Sequence, residues 1–326
     1  MVEAFCFYAV DLAFSNAHDL VTSLGLAATK PSFRVGPERN SMSKEKAPMS
    51  ITLVCIPKRL SVDKVVAAAK TAASVNPLNR APVSRLAGLM PGFKPTPERI
   101  AVMVTKYWGI KGVRLTVGFM DNPPTDLKKR ILAHMNAWAK TANVTFVQSS
   151  TDPKVRIARV GGEDGGYWSY LGTDVLHIPK KQQTMNLEAF TMQTPESEFH
   201  RVVRHETGHT LGFPHEHMRR ALIAKIDPDK AIAFFMRTQG WTEEDVRAQV
   251  LTPIEESSLI ASRVDAKSIM CYQIPGQLTK SGKPIIGGLD IDKTDYTFAG
   301  DIYPKSKAKK VAPAKKTPAK KATRRR

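Results

Sequence analysis

The chain has 326 residues, 42% of them hydrophobic and 24% charged, which suits a globular protein with a real core and excludes a wholly disordered chain, a collagen and a small disulfide scaffold. The net charge of +19 is uneven, because residues 305–326 carry +11 and residues 1–304 only +8. Three cysteines (Cys6, Cys55 and Cys271) make no disulfide framework, and no run of 18 apolar residues marks a transmembrane helix.

Residues 1–49 read as a poorly ordered N-terminal segment and linker, with Met42 and Met49 as alternative starts. The opening Met1-Val2-Glu3 lacks the basic region of a signal peptide. Residues 50–103 read as an accessory or pro-like segment. It holds a short strand at 51–56 and a helix capped by Ser61, with Val62, Val65, Val66 and Ala69 at helical spacing. Pro77, Pro82, Pro91, Pro95 and Pro97 then break regular structure.

The main domain is expected over 104–304. Val113, Leu115, Val117 and Phe119 alternate with Arg114, Thr116 and Gly118 as in a half-buried strand. A helix follows from Thr125, burying Leu127, Ile131, Met135 and Trp138. Strands are expected at 143–148, 154–160, 175–178 and 185–191. Thr194 and Pro195 then start a helix that Gly212 ends in a left-handed turn and Pro214 blocks. Asp227-Pro228 opens another helix that ends at Gly240, and Thr242 opens a third.

The chemistry lies in His205-Glu206-Thr207-Gly208-His209-Thr210-Leu211-Gly212-Phe213-Pro214-His215. Histidines four apart on a helix project from one face within reach of one ion. The turn at Gly212 brings His215 back as a third ligand. Three neutral imidazoles leave one zinc position for water, the mark of a catalytic site. Glu206 reaches that water without being a ligand.

The pattern H-E-x-x-H-x-x-G-x-x-H is that of the metzincin metallopeptidases, and Ser268-Ile269-Met270-Cys271-Tyr272 resembles their Met-turn. Within that clan the chain most resembles the astacin family. Gly212, Phe213, His215, Glu216, His217 and Arg219 match its signature, and the stretches 166–172 and 278–286 resemble two more family segments. The resemblance implies an α+β, two-lobed zinc endopeptidase: a twisted mixed sheet with helices in the N-lobe, a helical and irregular C-lobe, and a cleft between them. It implies one catalytic zinc ion on His205, His209 and His215. Glu206 would be the general base, Met270 an apolar floor and Tyr272 a switchable ligand whose hydroxyl stabilises the oxyanion. Residues 185–191 fall where the family has the edge strand that pairs with substrate. Protein or peptide substrates, a monomer and secretion are the corresponding expectations.

The chain departs from the family in lacking its disulfide cysteines, in Arg220-Ala221-Leu222, and in showing no inhibitory Asp motif. Cys55, beside Lys58 and Arg59, is read first as a buried inert thiol and second as a thiolate cap on the zinc. His18, His134, His177, His200 and His217 are read as structural or solvent-facing. Residues 305–326, rich in Lys, Ala and Pro, read as a disordered tail, either a solvated appendage or a non-specific contact for a polyanion such as nucleic acid. The rival reading of the whole chain is a polyanion-binding protein with a structural or inactive zinc site.

Overall fold

The computed structural model describes residues 55, 58–79, 104–253 and 264–305. The linker, the strand expected at 51–56 (Cys55 aside) and the tail beyond 305 lie outside the described residues. Among the described residues no helix is long and apolar enough to cross a membrane.

The first helix, α1 (Val62–Val75), forms as expected, but Ser61 makes no side-chain cap. It packs against a 3-10 turn at Gly172–His177, where His177 Nε2 meets Thr71 Oγ1 at 2.9 Å. Its end is fixed by two buried asparagines. Asn76 donates to the Trp108 carbonyl at 2.7 Å, and Asn79 donates to the Tyr107 carbonyl at 2.7 Å while accepting the Tyr107 amide at 3.0 Å.

The sheet has five strands: β1 (Val113–Phe119), β2 (Val144–Gln148), β3 (Val155–Ala158), β4 (Tyr167–Ser169) and β5 (Met185–Leu187). Their order is β2-β1-β3-β5-β4, parallel except for the antiparallel β4–β5 pair. β1 turns Val113, Leu115 and Val117 into the core, as its alternation requires. Helix α2 (Thr125–Met135) and the 3-10 turn after it bury Leu127, Ile131, Met135 and Trp138. Each such side chain contributes about 1.5–3 kcal/mol of transfer free energy.

Two strand expectations need correction. Residues 175–178 form no strand, because their apolar run sits at the end of the 3-10 turn. The 185–191 strand stops at Leu187 and is internal, lying between β3 and β4. The edge on that side of the sheet is β4, a three-residue strand in a Gly-rich stretch, and β2 forms the opposite edge. Just past the end of β4, Tyr170 forms a parallel bridge with Lys58.

The helix carrying the His-Glu motif, α3, spans 196–210. It is α-helical at Glu196–Glu198, π-helical at Phe199–Val203 and α-helical again at Arg204–Thr210. Its N-cap is Pro195; the Thr194 hydroxyl instead accepts the Thr191 amide at 2.9 Å. Beyond it come α4 (Pro228–Gln239), capped by Asp227 and ended by left-handed Gly240, and α5 (Glu243–Val246), opened by a Thr242/Asp245 capping box. The last helix, α6 (Lys293–Ile302), starts from an Asp292/Asp295 capping box.

Two apolar cores result. One gathers the sheet, α2 and α3 with Met270 and α6; the other gathers α4 and α5 with Cys271, Tyr272, Ile274, Leu278, Ile285 and Cys55. The turn at residues 268–272 straddles them, so the fold is α+β with two lobes meeting at the motif.

Candidate metal and catalytic site

His205 and His209 stand one turn apart on α3, and the chain then reverses. Gly212 adopts φ +94, and a Cβ there would lie 2.9 Å from the Lys106 carbonyl oxygen, so glycine is required on two counts. The helix end is buried without orphaned carbonyls: the Trp108 indole donates to Thr210 O at 2.8 Å and the Tyr303 hydroxyl to Leu211 O at 2.5 Å. Neither residue stands out in the sequence as a partner of the motif.

The reversal brings His215 Nε2 to 3.1 Å from His205 Nε2 and 3.0 Å from His209 Nε2. The tautomers follow from the partners. His205 Nδ1–H donates to Ile269 O at 2.6 Å and His209 Nδ1–H to Phe213 O at 2.8 Å, which leaves each Nε2 with a lone pair only. His215 Nε2 can donate to one of them at most. Elsewhere lone pairs oppose one another unless a cation draws them together. Burial holds His205 and His215 well below the usual histidine range and His209 down to about 4, so all three are neutral. Zinc–nitrogen bonds of about 2.0–2.1 Å give a tetrahedral edge of about 3.3–3.4 Å. Nitrogens converging at 3.0–3.1 Å, each ring on α3 oriented by a backbone carbonyl, fit one zinc ion.

Glu206 is buried beside them, and its Oε2 has no hydrogen-bond partner among the described residues. Burial pushes its carboxyl up to about 8 against the opposing pull of the Cys55 thiol and Arg201. Met270 lies beneath α3, close enough that a Cβ on Gly208 would meet its sulfur at 2.4 Å, and its carbonyl accepts the Glu216 amide at 2.8 Å. Glu216 Oε1 accepts the Asp265 amide at 3.0 Å; burial pushes this carboxyl up to about 7. Tyr272 lies over His215 (ring centroids 4.3 Å apart) and stacks on His217 at 4.0 Å, and its hydroxyl donates to the Cys55 carbonyl. Every site residue expected from the sequence is therefore in one place.

Three further residues take part. The ligand atoms of Cys55, His205, His209 and His215 all lie within 4.8 Å of one another, so the cysteine read first as inert stands at the site. Asp295 on α6 accepts the Ser268 hydroxyl at 2.6 Å and the Ile269 amide at 2.9 Å, and Ser268 in turn accepts the Met270 amide at 3.0 Å. These bonds shape the turn that carries Met270 and Tyr272. The capping pattern of Asp292 and Asp295 was the available sequence signal.

A second group, His134, Glu196 and His200, also brings its ligand atoms within 4.8 Å of one another. Arginines occupy it: Arg130 pairs with Glu196 at 2.7 Å, and Arg204 donates to His134 Nδ1 at 3.3 Å and pairs with Asp290 at 2.5 Å. Two guanidinium charges repel a further cation, and the group works as an ion-pair network tying α2 to the start of α3.

The family model of the astacin peptidases matches residues 104–287. The chain belongs to the astacin family. As an astacin, it is 31% identical in sequence to myroilysin, whose structure it matches with a TM-score of 0.57 over 61% of this chain and 96% of that one. It is 32% identical over 102 residues to the zinc metalloproteinase nas-27 of Caenorhabditis elegans, a match covering 31% of this chain and 21% of that protein. The chain thus spans about a fifth of the length of that curated relative.

Proposed function

We propose that the chain is a zinc-dependent metalloendopeptidase that hydrolyses protein or peptide substrates, with Glu206 as general base and Tyr272 as oxyanion donor. The observation that carries this reading is the convergence of three neutral imidazole nitrogens at 3.0–3.1 Å beside a buried carboxylate with an unpartnered oxygen. His205, His209 and His215 would hold a zinc ion, which would supply an acidified water and a polarised scissile carbonyl. Glu206, lifted by burial, is the group placed to take a proton from the attacking water and to return it to the leaving amine. Once its hydroxyl is released from Cys55, Tyr272 donates where negative charge develops. Met270 and Gly208 hold α3 against the 268–272 turn, which keeps these groups in register. A purely structural zinc would need neither a buried free carboxylate nor a tyrosine at its side, which weighs against the polyanion-binding rival with an inactive metal.

Because the Cys55 carbonyl holds the Tyr272 hydroxyl, the test is Glu206→Ala in a chain freed of the Cys55 segment by limited proteolysis. The variant should keep stoichiometric zinc and lose protein cleavage; cleavage equal to the unmutated parent would overturn the assignment. For the basic stretch at 305–326, we propose non-specific polyanion contact, supported by its +11 charge. Deleting it should abolish salt-sensitive DNA retention, and retention that persists would place the contact elsewhere.

A further inference from the structure

We infer that His134, His200 and Arg204 form a proton-sensitive clasp, in which both imidazoles must stay neutral to hold the guanidinium, and that acid frees the start of α3 from α2 and from the loop at Asp290.

The direction of the hydrogen bonds carries it. A guanidinium only donates. Arg204 Nε–H points at His134 Nδ1 at 3.3 Å, and Arg204 Nη2 lies 3.3 Å from His200 Nε2, so each of these ring nitrogens presents a lone pair. The other nitrogen of each ring faces a carboxylate: His134 Nε2 lies 3.1 Å from Glu196 Oε1, and His200 Nδ1–H donates to Asp290 Oδ2 at 2.9 Å. The third arm of the same guanidinium, Nη1, donates to Asp290 Oδ1 at 2.5 Å. One side chain thus joins α2, α3 and the loop, and two of its three bonds use lone pairs that a proton would take.

The charges come from every element packed there. Helix α2 supplies Arg130, which pairs with Glu196 at 2.7 Å; α3 supplies Glu196 and Arg204; the loop supplies Asp290. Tyr296 on α6 adds a phenol whose ionisation burial pushes up. Two guanidinium groups balance two carboxylates while both rings are neutral, so each added proton leaves an excess positive charge. Burial holds the His134 imidazole below the ordinary 6.5; Arg204, His200 and Arg130 act in the same sense and Glu196 opposes them. Once the clasp opens, the ring regains its ordinary value. The clasp is therefore at full strength above about pH 6.5 and weakens as pH falls below it. A proton entering at His200 Nε2 finds Glu196 Oε1 at 3.4 Å, and the guanidinium must then withdraw. The proton comes from solvent and returns there when pH rises.

The clasp closes over the π-helical stretch Phe199–Val203, a hydrogen-bond spacing that helices use sparingly. Beyond it the Trp138 indole holds the Arg204 carbonyl at 2.9 Å, which confines the opening to the start of α3.

Amide hydrogen exchange of the zinc-saturated full chain tests this, read by mass spectrometry and corrected for the intrinsic effect of pH. Peptides covering 196–204 should lose about tenfold in protection between pH 7 and pH 5. The control is His134→Asn combined with His200→Gln. Asparagine keeps an oxygen acceptor where Nδ1 stands, glutamine keeps one where Nε2 stands, and neither takes up a proton. In that double variant the protection should agree between the two pH values to within about twofold. Equal protection at both pH values in the unmutated chain would overturn the inference, and so would the full loss persisting in the double variant. Should the double variant lack the circular dichroism of the unmutated chain, the two single variants decide: each should lose less protection than the unmutated chain, and an equal loss in both would overturn the clasp.

Discussion

Asp295 holds the Ser268 hydroxyl at 2.6 Å across 27 residues of sequence, and through it shapes the turn that presents Met270 and Tyr272. Burial pushes this carboxyl up to about 6, against the hydrogen bonds it accepts. The folded state therefore favours the protonated form more than the unfolded chain does, where the ordinary value is 3.8. The associated stability is fully present below about pH 4 and is lost as pH rises through about 6, a span worth about 3 kcal/mol at 1.36 kcal/mol per unit. Asp295→Asn removes the titration. Urea unfolding in zinc-saturated buffer should show the variant less stable than the parent at pH 5, with the gap narrowing by pH 7. A gap independent of pH would refute the ionisation argument.

Tyr272 should act on the rate rather than on ground-state binding. Removing one donor aimed at a developing oxyanion costs about 10²–10³ in kcat. In the chain freed of the Cys55 segment by limited proteolysis, Tyr272→Phe should lower kcat by something approaching that range, leave KM within a few-fold and keep zinc stoichiometric. A change confined to KM would mean that the hydroxyl only helps to bind substrate.

Gly208 faces Met270 so closely that a methyl group would overlap the sulfur at 2.4 Å. The helix cannot retreat, because the Trp138 indole holds it at the Arg204 carbonyl at 2.9 Å. Gly208→Ala should destabilise the protein by about 1–3 kcal/mol, the usual cost of overpacking. Chemical denaturation would measure it, and an unchanged midpoint would show that Met270 rearranges freely.

The His-Glu helix was legible because its spacing, Pro195, Gly212 and Pro214 are local signals that agree with the final geometry. The π-helical stretch at Phe199–Val203 was not, since nothing in residue preference marks a five-residue hydrogen-bond spacing. The 175–178 run misled because three apolar residues in four (Val175, Leu176 and Ile178) fit the end of a 3-10 turn as well as a strand. Which strand forms the sheet edge depends on pairing order, a long-range property, so the short β4 went unread. Cys55 was ambiguous for the same reason: it lies 150 residues from His205 in sequence, and only tertiary packing brings its sulfur to the imidazoles.

The metal content of the full chain tests the central claim most directly. Atomic absorption of the purified unmutated protein should give one zinc per chain, and the triple variant His205→Ala, His209→Ala, His215→Ala should give essentially none while keeping its helical circular dichroism. Zinc retained at full stoichiometry in that variant, or zinc missing from the unmutated chain after incubation with the ion, would contradict the account.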